Sequence, residues 1–170
     1  AESESVNVEF INADIRDIQF RDEFDVVLNL ADGAVGYLET DAENLKIFDI
    51  ISYALKSGGK HFMDICNAEH AKRCFPKLNW EAGERALALA KFEWDEKTRR
   101  MLYGGWDIPY GLPAQKPDII TGNPTRLYSL AELALIFRKR NMKMMQTFSD
   151  YYGKKSSYKE LQLLVCSVKL

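Results

Sequence analysis

The chain lacks the signatures of several protein classes. Its three cysteines, Cys66, Cys74 and Cys166, are odd in number and have no Cys-x-x-Cys spacing. A disulfide framework is therefore not expected, and reduced, mostly buried thiols in a cytoplasmic protein are. Cys66 and Cys74 with His70 between them do not match known metal-ligand spacings, so no metal site is expected. No apolar run reaches the roughly 18–20 residues of a membrane span, and no signal-peptide pattern opens the chain. Basic excess is also missing: 23 Lys+Arg stand against 25 Asp+Glu, a formal charge of −2. That argues against a nucleic-acid surface, which needs cations to neutralise phosphates. Arg99-Arg100 and Lys154-Lys155 read as solvated hairpin and loop charges.

What is present is an ordinary globular composition, 46% hydrophobic and 28% charged over 170 residues. This is enough chain for one domain with a sizeable core. Ala1 stands first where an initiator methionine would be, so residues 1–5 read as a processed terminus or as the tail of something cut away.

Hydrophobic patterning lays out the elements. Val6 to Asn12 alternates apolar and polar residues and predicts a strand, followed by a loop or single turn from Asp14 to Glu23. Phe24 to Leu30 is a continuous apolar run, the pattern of a strand covered on both faces. Thr40-Asp41-Ala42-Glu43 is a capping box opening a helix with Leu45, Phe48, Ile51 and Leu55 on one face and Gly58 just past its end. Lys60 to Ile65 is the next strand, completing a βαβ unit with a right-handed crossover. Glu84–Trp94 and Thr98–Trp106 predict an antiparallel hairpin, although Arg85 to Phe92 also permits a helix. Six Pro and Gly residues between Trp106 and Thr125 predict loop. Ser129 to Glu132 caps a helix running to about Arg140, and Met142–Tyr151 and Glu160–Lys169 close the chain as antiparallel neighbours.

Two strands thus end in small polar clusters, Asn12 to Asp14 and Asn29 to Gly33. Ligands of open α/β sheets bind just outside such carboxyl ends. No Ser-His-Asp or Cys-His constellation is present. His61 lies mid-strand and reads as a packed core residue, and His70 as a helix-surface residue.

The run NADIRDIQFRDEFDVVLNLADGAVGYL, followed by ENLKIFDIISYALKSGGKHFMDI and RLYSLAEL, resembles the class I S-adenosylmethionine-dependent methyltransferases of small-molecule type. The resemblance implies an α/β, incomplete Rossmann-like sheet from the family's third strand onward, with an inserted antiparallel β-hairpin and a closing β-hairpin. It implies one partial domain over residues 1–170, in which residues 77–127 are the insert and a substrate cover. The departure is large. No Gly-x-Gly-x-Gly run exists, and the first two strands have no counterpart. The chain therefore resembles a carboxy-terminal portion that binds S-adenosylmethionine weakly by itself and is inactive alone. The missing strands leave open edges, which invite a homodimer or a strand-swapped assembly.

By the same resemblance, Asp14 accepts from the adenine amine and the Ile15 N–H faces the ring; otherwise Asp14 caps a turn. Asn29, Leu30 and Ala31 contact the methionine part of the cofactor, or Asn29 satisfies neighbouring loops. Asp32 reads as a turn residue. Tyr37 faces the transferred methyl or packs in the core, and Arg126 and Tyr128 touch substrate. Trp94, Tyr103, Trp106 and Tyr110 line an apolar pocket or pack the hairpin. The implied reaction is in-line methyl transfer to a small-molecule or other nucleophile, which needs positioning and water exclusion more than acid or base help. The alternative is a non-enzymatic α/β module that self-associates through its open edges.

Overall fold

The structure is a computed structural model, and it describes residues 7–32, 34–116, 120–122 and 124–170. Two sheets are present. The first has the strand order β1–β2–β9–β8, with β1 (Phe24–Asn29), β2 (Leu55–Cys66), β8 (Met142–Phe148) and β9 (Gln162–Lys169). β1 and β2 run parallel; β9 is antiparallel to both of its neighbours. The second sheet is antiparallel and holds β3 (Lys77–Ala82), β4 (Ala86–Asp95), β5 (Arg100–Pro109) and β6 (Ile120–Thr121), with β7 (Thr125–Arg126) also pairing to β5.

α1 (Asp41–Ala54) starts where the Thr40 hydroxyl accepts from the Glu43 N–H. It ends at Ala54, earlier than Gly58 suggested. Leu55 already has extended backbone, and β2 begins there. The buried stripe of α1 runs through Asn44, Ile47, Phe48 and Ile51, so Leu45 is only a flanking contact. α3 (Leu130–Arg138) carries the complete Ser129–Glu132 capping box expected for it. Both helices contribute to one core, in which Ile47, Phe48, Leu133 and Phe137 meet Met63, Leu163 and Val165. Its aromatic contacts are edge-on, with Phe48 centred 5.9 Å from Phe137.

Only one face of the first sheet is covered in this way. On β2, residues 59, 61, 63 and 65 are buried while their neighbours at 60, 62, 64 and 66 are not. Register places Val26 beside Lys60 and Leu28 beside Phe62, on that outer face. Val26 is 53% and Leu28 62% exposed. The doubly covered strand expected from Phe24–Leu30 is therefore corrected: its described surroundings cover one side. The strand expected at 6–12 is also corrected. Val6 lies outside the described residues, and residues 7–12 form no strand and stay exposed, with Phe10 among the most exposed apolar residues. Strands need a hydrogen-bonding neighbour, and among the described residues none runs beside this segment. Among the described residues β1 is a free edge.

The closing hairpin forms as expected, although its strands are joined by residues 149–161, which fold back to hold α2 (Ala68–Cys74). His70 is on that helix, as expected, but is 5% exposed; its Nδ1 lies 2.9 Å from the Tyr158 carbonyl oxygen. The expectation of a surface histidine fails because the 149–161 segment covers it. The insert is larger than one hairpin: β3 precedes it, and short strands replace part of the expected loop. Arg85 to Phe92 is strand rather than helix in all but its first residue.

His61 is a core residue, as expected, with Nδ1 3.1 Å from Ser167 Oγ and its ring edge-on to Phe137. Burial pushes its pKa down from 6.5 to about 4. Between those values the unfolded chain binds a proton that the folded chain does not, so stability falls as pH drops through the window. Wild type should lose about 3 kcal/mol more than His61→Gln between pH 7 and 4. Urea unfolding of both proteins at the two pH values measures the difference, and equal losses would remove His61 as the cause.

Candidate functional site

The carboxyl ends of β1 and β2 converge on one loop, described over residues 30–32 and 34–40. Its backbone is unusual: Ala31, Asp32 and Ala34 all have positive φ, between 52° and 64°. Non-glycine residues rarely adopt this region, and such strain persists where the surroundings over-determine it. Here the surroundings can be named. The Asp32 N–H donates to the Asp64 carbonyl at 2.8 Å, and Asp32 Oδ1 accepts from the Cys66 N–H at 2.9 Å. Asp32 is thus more than a turn residue; it ties the loop after β1 to the end of β2.

Asn44 holds the far side of the loop. This fully buried amide accepts from the Gly36 N–H at 2.8 Å and the Leu38 N–H at 3.1 Å. It donates to the Leu38 and Thr40 carbonyls at 3.3 and 2.9 Å. No motif marks Asn44 in the sequence; its one signal there is an amide within the apolar stripe of α1. Gly36 in turn lies against β7, its carbonyl accepting from the Arg126 N–H at 2.9 Å.

Tyr37 leaves this clamped loop half exposed, so the core-packing alternative is set aside. Its hydroxyl donates to Asp32 Oδ2 at 3.0 Å. Partial burial and that carboxylate push the phenol up to about 12, which keeps it protonated at neutral pH. Burial, followed by Asp32, pushes the Cys66 thiol up to about 12, so this cysteine is no nucleophile. Asn29 is buried at the end of β1, while Leu30 is exposed beyond it. Further along β2, Asp64 accepts from the Tyr151 hydroxyl at 2.6 Å and from Gln162 Nε2 at 3.3 Å.

Asp14 caps the single-turn 3-10 helix Ile15–Asp17, accepting from the Arg16 N–H at 2.8 Å. Both of its oxygens face the Arg16 guanidinium, which holds the carboxyl down to about 2. Ile15 packs on the edge of the core. Arg126 and Tyr128, expected to touch substrate, both have partners within the fold. Arg126 bonds Glu132 at 2.7 Å, approaches Asp41 at 3.4 Å and sits over the Tyr128 ring. Tyr128 is 3% exposed and stacks edge-on to Phe48 in the core. Their charge and ring are spent holding β7 against α3. Nor do the four insert aromatics line one pocket. Trp94 packs towards α2, and Tyr103 and Trp106 point to opposite faces of β5. Among the described residues no group of three or more His, Cys, Asp or Glu side chains is placed to hold a metal. No helix among them is long and apolar enough to cross a membrane.

No protein-family model matches the chain, and no curated protein matches it by sequence. Solved structures do. The CcbJ methyltransferase from Streptomyces caelestis superposes with a TM-score of 0.73 at 12% identity, over 93% of this chain and 66% of that one. An S-adenosylmethionine-dependent methyltransferase from Clostridium acetobutylicum gives 0.71 at 13% identity, over 99% and 67%. An amino pentose methyltransferase from Micromonospora echinaspora, solved with S-adenosylmethionine bound, gives 0.60 at 16% identity, over 93% and 63%. The fold is thus that of class I S-adenosylmethionine-dependent methyltransferases, in a partial Rossmann-like form. The chain spans about two thirds of the length of these structures.

Proposed function

We infer that this chain is the carboxy-terminal part of an S-adenosylmethionine-dependent methyltransferase that acts on a small-molecule acceptor. The clamped, left-handed loop at the joined ends of β1 and β2 carries this reading, because it lies where α/β sheets bind ligands on a fold of this class. Three free thiols fit a cytoplasmic setting.

The residues present fit one side of the cofactor. Asn29, Leu30 and Ala31 are the candidates for its methionine end, and Asp14 and the Ile15 N–H for its adenine, with Arg16 yielding part of the Asp14 carboxylate. Tyr37 offers a ring face to a sulfonium, an attraction worth about 0.5–2 kcal/mol. Bound S-adenosylmethionine supplies an electrophilic methyl, which an acceptor lone pair takes in line as the carbon–sulfur bond breaks and a neutral thioether leaves. The role of this chain is then to hold Tyr37 and the 30–40 loop rigid, and to keep water out. None of the described residues is a candidate for the opposite wall. The free edge of β1 and the bare Val26–Leu28 face support a further βα layer packing there.

Titration calorimetry with S-adenosylhomocysteine tests both halves of the reading. The chain alone should bind weakly, with Kd above about 1 mM, only a few kcal/mol of affinity. The same chain extended by the coding sequence preceding Ala1 should bind at micromolar Kd. Tight binding by the chain alone would overturn the partial-site reading; no binding by the extended chain would overturn methyl transfer.

The same edge favours a second reading, a non-enzymatic module that pairs with another copy through β1. Sedimentation of the chain alone, with and without Val26→Lys and Leu28→Lys, distinguishes them. Under this reading the substitutions convert a dimer to monomer.

A further inference from the structure

The second sheet carries a cleft of about 560 Å³ that none of the roles above uses. Its register resolves the lining into rows across β3, β4 and β5. Glu81, Ala88 and Asp107 form one row, and Asn79, Ala90 and Gly105 the next. Phe92 and Tyr103 follow, with ring centroids 5.1 Å apart and Phe92 backed by Phe75 at 5.3 Å. Side chains of cross-strand partners share a face, so the floor is small at Ala88 and Ala90, the Tyr103 ring reaches over Gly105 with its hydroxyl 3.2 Å from where a Cβ there would stand, and the far end is acidic.

Glu81 and Asp107 sit on either side of Ala88, two strand spacings or roughly 10 Å apart. The methyl of Ala88 leaves the space between them open. Neither acid has an ion-pair partner among the described residues; Lys91, the nearest lysine on β4, points to the other face and pairs with Glu93 at 2.8 Å. Lys77, in the aromatic row, is four residues from Glu81 along the strand, about 13 Å away. The volume lies within the range of small-molecule sites.

We propose that this cleft binds an organic amine in its cationic form. The ammonium lies over Ala88 between the Glu81 and Asp107 carboxylates, and its apolar body lies against Tyr103 and Phe92. As a cation site this stands alone; as the site of a methyl acceptor it rests on the methyl-transfer reading and names the acceptor an amine.

Two matched probes test it: cyclohexylamine, cationic at neutral pH, and cyclohexanol, its uncharged counterpart. In amide NMR spectra of the ¹⁵N-labelled chain, cyclohexylamine should give saturable shifts at residues 79–81, 88–90 and 103–107, and cyclohexanol should not. Glu81→Gln with Asp107→Asn should weaken binding at least about tenfold. Ala88→Leu, which keeps both acids and fills the gap, should weaken it similarly; its spectrum without probe reports whether the sheet is intact. Equal responses to both probes, no saturable response, or a response unchanged in the acid variants would overturn the proposal. An unchanged response in a folded Ala88→Leu protein would place the amine elsewhere and overturn it too. No cofactor is present, so failure here leaves the calorimetric test of methyl transfer standing by itself.

Discussion

Gly36→Ala should cost about 4 kcal/mol and lower the melting temperature by roughly 8–16 °C. An alanine Cβ at this position would lie 2.1 Å from the Arg126 carbonyl oxygen and 3.1 Å from its carbonyl carbon, both backbone atoms that cannot turn aside. The φ of +92° adds strain for any L side chain. Relief requires separating the loop from β7, which breaks the Arg126 N–H to Gly36 carbonyl bond. Gly58→Ala is the control. Its φ is +77°, but nothing lies within 4 Å of the added carbon, so only the strain of about 1 kcal/mol remains. Thermal unfolding of both variants separates clash from strain. Equal losses would show that Gly36 is required only for its dihedral.

Asn44→Ala should cost about 3 kcal/mol, roughly 6–12 °C in melting temperature. The side chain satisfies two N–H donors and two carbonyls of the 36–40 segment, and Asn44 has no solvent exposure. Removing it strands the Gly36 and Leu38 donors, each a penalty of order 1–3 kcal/mol, although loop movement towards water recovers part of that. Because the same loop carries Tyr37, the Tyr37–Asp32 bond should loosen as well. A fall in the Tyr37 hydroxyl pKa, followed by tyrosine absorbance, reports that loss. A variant that kept both its stability and its Tyr37 titration would show that Asp32 alone sets the loop.

The elements that were legible in the sequence are those whose local signals and burial agree. Ser129 and Glu132 form the capping box their spacing announced, and the closing strands pair as their alternation required. The polar cluster after Leu28 lies at a strand end, as its position in the apolar run implied. Other readings failed where a segment's state depends on what lies beside it. The alternation in residues 7–12 describes a strand, yet no described strand runs beside it. His70 is buried only because residues 149–161 return across α2. Nothing at Arg126 itself marks its partner Glu132, six residues away on the next helix.

The sequence by itself determined the α/β class, the capped helices, the absence of a glycine-rich turn, and the placing of a candidate site after Asn29. These follow from periodicity, capping chemistry and residue counts, which are local. Only the tertiary structure decided that Asp32 joins two strand ends, that Asn44 clamps the loop, and that Glu81 and Asp107 flank one gap. It also decided that, among the described residues, one face of β1 is bare. Each of these depends on which residues the register and the crossover bring together across the sheets, and such long-range pairings leave no mark at any single position of the chain.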